Sequence, residues 1–65
     1  MKYEKQIYAV DGRWQYTIFQ DGVPSIVQDF DPELPGFEPM SEARANELAD
    51  AVIQRLLNAD AQHDD

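Results

Sequence analysis

The sequence predicts an α+β protein, in which a three-stranded antiparallel β-meander packs on one C-terminal amphipathic α-helix. Three observations predict it: two Asp-Gly dipeptides that suit tight hairpin turns, polar–apolar alternation beside the first of them, and a helical period in the last third of the chain. With 65 residues and no cysteine, the chain is one small domain without disulfides. We assign the domain to residues 1–59 and a disordered acidic tail to residues 60–65.

The first hairpin is predicted by its turn and by its faces together. Asp11-Gly12 suits the positive φ values of a type I′ turn. A two-residue turn places Ala9 opposite Trp14, and it places Ile7 opposite Tyr16. Both pairs put apolar side chains on one face of the sheet, so turn chemistry and side-chain pattern indicate the same register.

The second hairpin is less regular. A two-residue turn after Gln20 would pair apolar with polar residues, whereas a three-residue loop at 21–23 pairs Ile18 with Ile26 and Trp14 with Phe30. We therefore expect the longer loop, with a β-bulge in it.

Prolines mark the third strand and the connection that follows it. Pro24 lacks an amide donor, so the third strand should lie at a sheet edge. Residues 29–39 form a Pro-rich acidic loop that excludes a regular helix. Because Phe30, Leu34 and Phe37 are too apolar for a free linker, we expect them to close the core or to cover a sheet edge.

The helix is predicted for Ser41 to Ala59, with Ser41 as its N-cap. A helix of this length is marginal alone in water, so its apolar side must pack on the sheet. The apolar positions follow the 3.6-residue period of one broad face. They are Ala45, Leu48, Ala49, Val52, Ile53, Leu56 and Leu57.

Charge is the strongest feature of the composition. The chain carries a net −8, divided into +1 for residues 1–20 and −9 for residues 21–65. No basic patch is present, which disfavours direct nucleic-acid binding. No apolar run approaches a membrane span, and the first residues do not form a signal-peptide core. The acids either keep a small domain soluble or mimic the phosphates of a nucleic acid.

Few residues suggest chemistry. Asp29, Asp31 and Glu33 have the spacing of the first ligands in a calcium loop, but the glycine and the glutamate that complete such a loop are missing. His63, the single histidine, lies in the predicted tail, where a general base cannot be positioned. We therefore expect no metal, no cofactor and no catalytic residue.

Candidate interface residues are the apolar side chains that the predicted core leaves over. One set lies on the sheet face opposite Trp14, one on the outer edge of the helix and one in the loop. Either two sheets packed face to face or two helices packed along their outer edges would make a homodimer. The candidates are Tyr8, Phe19, Ile53, Leu57, Leu34 and Phe37.

Three stretches, WQYTIFQDG, DFDP and EPMSEARANELADAVIQRL, resemble short uncharacterised proteins encoded by bacteriophages and prophages. The resemblance covers roughly Tyr8 to Leu57. It implies a strand meander, a Pro-rich acidic loop and a terminal helix, and it implies a viral accessory or virion-associated role. It assigns no functional residue.

The function predicted from these observations is that of a small acidic protein-interaction or structural module, not an enzyme, with an unknown protein partner. We expect it in the cytoplasm of a bacterial host or associated with a virion. The alternative is an acidic, nucleic-acid-mimicking inhibitor of a host nucleic-acid-binding protein. An ordered row of carboxylates would favour the alternative, and acids spread around the surface would favour solubility alone.

Overall fold

The computed structural model describes residues 2–63 and confirms the α+β meander. All neighbouring strands are antiparallel, in the order β1-β2-β3, and one helix follows them. A short 3-10 turn, Pro35–Phe37, interrupts the loop before the helix. The elements are β1 (Tyr3–Val10), β2 (Arg13–Gln20), β3 (Val23–Gln28) and α1 (Glu42–His63).

The first hairpin has the predicted turn and register. Both turn residues have positive φ, 52° at Asp11 and 80° at Gly12, as a type I′ turn requires. Ala9 pairs with Trp14, and Ile7 pairs with Tyr16. The β1 and β2 side chains that face the helix are therefore fixed by the turn.

The predicted three-residue loop in the second hairpin is wrong. Asp21 and Gly22 form a second two-residue turn, with φ values of 53° and 83°. The spare residue is taken up further along β3 at Ser25, which has no partner because the register shifts between Ile18 and Phe19. This bulge restores the predicted pairing of Ile18 with Ile26.

The predicted pairing of Trp14 with Phe30 is also wrong, because β3 ends at Gln28. Trp14 instead forms an isolated bridge with Met40, just before the helix. Met40 is buried there, so the chain segment that enters α1 closes the end of the core.

The helix begins as predicted and ends later. Ser41 caps it, since its Oγ accepts a 3.2 Å hydrogen bond from the Arg44 amide. The helix runs to His63, so residues 60–63 are helical rather than part of an unstructured tail. Alanine favours helix in this last turn, and Asp60 accepts a hydrogen bond from the sheet. Asp64 and Asp65 lie outside the described residues.

Small residues bring the helix close to the sheet. Ala45 and Ala49 are fully buried against β2, where Tyr16 and Ile18 are the largest fully buried side chains. Six further apolar side chains, some of them predicted core positions, pack around this core at partial exposure. These are Ile7, Trp14, Ile26, Leu48, Ile53 and Leu56. The helix lies over β1 and β2, and so one face of the sheet is covered.

Candidate protein-interaction surfaces

The sheet face opposite the helix carries two of the predicted interface residues. Ile7 and Ile18 pack in the core, so strand alternation turns their neighbours Tyr8 and Phe19 to the other side. Both are half-buried, and Val27 beside them on β3 is 61 % exposed. We call this side of the sheet, formed by Tyr8, Thr17, Phe19 and Val27, the open face.

A hydrogen-bonded chain of side chains holds Tyr8 in place on the open face. Gln15 Nε2 donates to the Tyr8 hydroxyl over 2.6 Å, and that hydroxyl lies 2.9 Å from Thr17 Oγ1. Thr17 is only 4 % exposed although no helix covers it, which is consistent with the phenol ring lying over it. A tyrosine fixed in this way offers contact area at a low entropic cost on binding.

The strands are also poor in acid. Of the 13 acidic residues in the chain, the three strands contain one, Glu4. Its carboxylate lies 3.4 Å from Lys2 Nζ. Depletion of charge at the centre with tyrosine and phenylalanine present is the composition of an interface core.

The helix edge that carries Ile53 and Leu57 lies on the β1 side of the molecule. Lys5 Nζ binds Asp50 over 2.7 Å, and the Tyr3 hydroxyl donates to Asp60 over 2.7 Å. At 100° per residue, Ile53 and Leu57 each fall within about 60° of both aspartates. Ile53 packs on the core at partial exposure, whereas Leu57 is 44 % exposed.

The apolar loop residues, which we expect to close the core or to cover a sheet edge, are not among the residues of the core cluster. Leu34 and Phe37 are exposed, the latter by 71 %, while Phe30 is half-buried. The Phe37 ring packs edge-on against Phe30 at a centroid distance of 5.1 Å. Arg13 Nη2 fastens this loop to β2 by donating to the carbonyl oxygens of Phe37 and Asp29. The loop is bound to the sheet by hydrogen bonds and leaves two apolar side chains in solvent.

Asp31 organises the acidic loop, which the sequence did not reveal. Its side chain is buried. Oδ2 accepts a 2.9 Å hydrogen bond from Arg44 Nε, and Oδ1 accepts a 3.0 Å hydrogen bond from the Glu33 amide. Its backbone amide donates to the Glu38 carbonyl oxygen. Glu33 Oε2 binds the same guanidinium at Nη2 over 2.9 Å. The only signal in the sequence is the Asp-Pro-Glu spacing of an Asx turn.

The contacts of Asp31 favour the charged form of its carboxyl. The hydrogen bond from the Arg44 guanidinium, assisted by the Glu33 amide, lowers the pKa of the Asp31 carboxyl.

Asp29, the first of the three residues with calcium-loop spacing, has Oδ2 3.8 Å from Arg13 Nε. Among the side chains that the structure describes, no group of three or more His, Cys, Asp or Glu residues is arranged to hold a metal ion. The side chain of His63 lies outside that part.

Two tyrosine hydroxyls on the helix side of the sheet are held in their neutral form. The hydrogen bond to Asp60 raises the pKa of Tyr3 to about 12, because an ionised phenol would lose that bond and face a carboxylate. Burial raises the pKa of Tyr16, and the nearby Arg55 opposes this shift. Both hydroxyls therefore stay protonated near neutral pH and act as hydrogen-bonding groups in the fold.

The acids are distributed over several surfaces. Asp11 and Asp21 lie in the two hairpin turns, which are at opposite ends of β2. Glu47 and Asp50 lie near Arg44 and Lys5, respectively. The acids named here therefore do not lie together on one face of the molecule.

The fold and these surfaces define a class: a one-layer β-meander backed by a single helix, with an uncovered sheet face. Comparison with protein-family models, with curated proteins and with solved structures finds no match. No helix within residues 2–63 is long and apolar enough to cross a membrane.

Proposed function

We propose that this chain is a small, non-catalytic protein-interaction module that binds a protein partner through the open face and also self-associates as a homodimer. The open face is the observation that carries the proposal. It joins a hydrogen-bonded tyrosine, a half-buried phenylalanine and an exposed valine on a surface with few charges. The acids of the loop and helix keep the rest of the surface soluble.

The physical support is preorganisation. Tyr8 is restrained by Gln15 and Thr17, so a partner that packs on its ring need not immobilise it. Val27 is the most exposed of the open-face residues. Its burial by a partner releases water from apolar surface, which is the main favourable contribution to protein association.

The alternative, mimicry of a nucleic acid, has weaker support. A mimic needs carboxylates free to meet the cations of its target, whereas Asp31 and Glu33 are bound by Arg44. Direct nucleic-acid binding is disfavoured as well, because Lys2, Lys5, Arg13 and Arg44 each lie within 4 Å of a carboxylate.

The biological setting that we propose is a phage or prophage, and its support is the sequence resemblance alone. The protein would then act in the cytoplasm of the bacterial host or in the virion. Mass spectrometry of purified virions distinguishes these two places, because only a virion component persists through particle purification.

The test compares two matched variants as bait in a lysate of the native host. Val27→Arg puts a charge on the open face, and Gln54→Arg puts the same charge on the exposed outer side of the helix. We expect wild type and Gln54→Arg to retain one protein that Val27→Arg loses. With that protein purified, calorimetry should give at least a tenfold weaker Kd for Val27→Arg, about 1.4 kcal/mol.

Equal binding by both variants would rule out the open face as the binding surface. Retention of no protein by any bait would contradict the interaction module itself. Circular dichroism of each variant must match the wild-type spectrum, since both positions are exposed and neither substitution disturbs the core.

A further inference from the structure

The two edges of the sheet differ in a way that points to a partner. At the β3 edge, Pro24 and the bulge at Ser25 interrupt the strand, which are two common means of preventing edge-to-edge association. The β1 edge has neither. β1 is eight residues long, contains no proline and pairs with β2 without a register shift. Within residues 2–63, no strand pairs with its outer side.

The hydrogen-bond pattern between β1 and β2 shows which backbone groups of β1 face away from β2. The Lys2 carbonyl oxygen accepts a 2.8 Å hydrogen bond from the Asp21 amide, so the backbone of Lys2 points toward β2. In an antiparallel pair every second residue does the same, and the residues between them point away. Lys5, Ile7 and Ala9 therefore direct their amides and carbonyls to the outer edge.

An apolar strip of the helix lies above the same edge. Asp50 and Asp60 hold α1 to β1 through Lys5 and Tyr3, and Ile53 and Leu57 lie between them on the helix surface. A chain that added a strand to β1 would therefore also meet Ile53 and Leu57. The edge and the strip form one continuous surface.

We propose that this surface binds a second copy of the chain, with the two β1 strands antiparallel in one six-stranded sheet and the two α1 helices side by side on its covered face. The proposal rests on the proposed self-association and identifies its interface. Antiparallel pairing of identical strands requires a two-fold axis perpendicular to the sheet, which places both helices on the same side. The two open faces then form one continuous binding surface.

The spacing of the elements fits this arrangement. Each helix lies over β1 and β2, and neighbouring strands are about 4.8 Å apart. Two helices centred over their own β1–β2 pairs would be separated by about 10 Å, which is the usual interaxial distance of packed helices. Ile53 and Leu57 would fill the space between them.

Charge and register also fit a second copy. Residues 1–20 carry +1, whereas residues 21–65 carry −9, so β1 belongs to the part of the chain that is not acidic. A two-fold axis at Gln6 places Lys5 opposite Ile7 of the second copy, and an axis at Ile7 places Lys5 opposite Ala9 of the second copy. Both registers avoid placing two lysines opposite each other, which would be destabilising.

The experiment uses matched proline substitutions on the two edges. Ala9 and Val27 are both exposed, and both direct their amides away from β2, so Ala9→Pro and Val27→Pro each remove one outward amide and no hydrogen bond of the sheet. In sedimentation at tens of micromolar and about 0.15 M salt, wild type and Val27→Pro should have twice the 7.5 kDa chain mass. Ala9→Pro should have the monomer mass.

A second pair of variants keeps the test valid if a proline prevents folding. Leu57→Arg places a charge in the apolar strip, and Ala51→Arg places the same charge at an exposed position about 120° from Leu57 and about 160° from Ile53 around the helix. We expect at least a tenfold weaker dimer for Leu57→Arg and an unchanged dimer for Ala51→Arg. Higher salt should strengthen the wild-type dimer, because two chains of −8 repel each other.

The outcomes separate the interface from the self-association. A wild type that sediments as a monomer overturns both. A wild-type dimer that persists in Ala9→Pro and Leu57→Arg overturns the β1 interface and leaves self-association standing. A dimer lost only in Val27→Pro assigns the contact to the β3 edge and also overturns the proposal.

Discussion

The buried carboxylate of Asp31 accepts a 2.9 Å hydrogen bond from Nε of Arg44, which joins the acidic loop to the first turn of α1. The same carboxylate accepts the Glu33 amide through its other oxygen. Loop and helix are thereby fixed by one side chain. This pair connects the irregular segment to the helix, and the hydrogen bonds from Arg13 connect the same segment to β2.

Asp31→Asn should destabilise the protein more than Glu33→Gln does. Both remove one negative charge facing Arg44, but Asp31 is buried and Glu33 is 78 % exposed. Asparagine can still accept a hydrogen bond from the Glu33 amide. The difference in stability between the two variants therefore measures the contribution of the charged pair at the buried position. Urea denaturation gives the comparison. A midpoint for Asp31→Asn equal to that for Glu33→Gln would show that the burial of Asp31 is immaterial.

Stability should fall in acid, and Asp31 should contribute to the fall. Folding lowers the pKa of its carboxyl below the ordinary value of 3.8, so its contribution is complete above that value. The contribution is lost as the pH falls through the folded-state pKa. Urea midpoints of wild type and Asp31→Asn should differ near neutral pH and approach each other as the pH falls below the ordinary value of 3.8. A difference that stays constant over this range would contradict the assignment.

Gly12→Ala should destabilise the first hairpin by about 1–2 kcal/mol. Gly12 has a φ of 80°, and nothing lies within 4 Å of the position that a Cβ would take, so backbone strain is the only cost. Asp11→Asn is the control, because asparagine tolerates the left-handed conformation that Asp11 adopts at a φ of 52°. Chemical denaturation should separate the two variants. Equal stability would exclude strain at Gly12.

Ile18→Val should cost about 0.5–1.5 kcal/mol, and Val27→Ala should cost much less. Each variant shortens an aliphatic side chain, but Ile18 is fully buried beneath the helix, whereas Val27 is 61 % exposed. Equilibrium unfolding below the concentration of self-association makes the comparison. The reverse order would mean that the open face, and not the helix side, holds the core.

The sequence predicts contacts that local rules determine and misses those that join distant segments. In the first hairpin, the turn dipeptide and the alternation of side chains agree, so the register follows from either. In the second, they conflict. The Asp-Gly dipeptide favours a two-residue turn, whereas the pairing of apolar side chains favours a three-residue loop. The chain satisfies both by placing a bulge at Ser25.

The Asp31–Arg44 pair could not be predicted for a different reason. The two residues lie 13 positions apart, and the path of the chain between them depends on left-handed conformations at Gly36 and Phe37. The hydrogen bond between Tyr8 and Thr17 could not be predicted either. Strand alternation places both residues on the open face, but whether their hydroxyls meet depends on side-chain rotamers. Sequence pattern places residues on faces and does not determine which polar atoms meet.

The last prediction concerns the end of α1, where the helix continues past Ala59. The Tyr3 hydroxyl donates to Asp60 over 2.7 Å, and this bond raises the pKa of Tyr3 to about 12. Asp60→Asn should therefore bring the Tyr3 pKa down toward its ordinary value of 10, as followed by NMR of the assigned ring resonances.

The sign of the pH effect follows from the same bond. Because folding raises the pKa of Tyr3, its contribution to stability is complete below about pH 10 and is lost as the pH rises through about 12. Asp60→Asn should weaken that alkaline loss and should also increase amide exchange in the last turn of the helix. The control is Asp50→Asn, which removes a charge from the ion pair with Lys5. Lys5 is the side chain next to Tyr3 on the same face of β1. If the Tyr3 pKa falls equally in both variants, the general field of the acids and not the bond to Asp60 sets it.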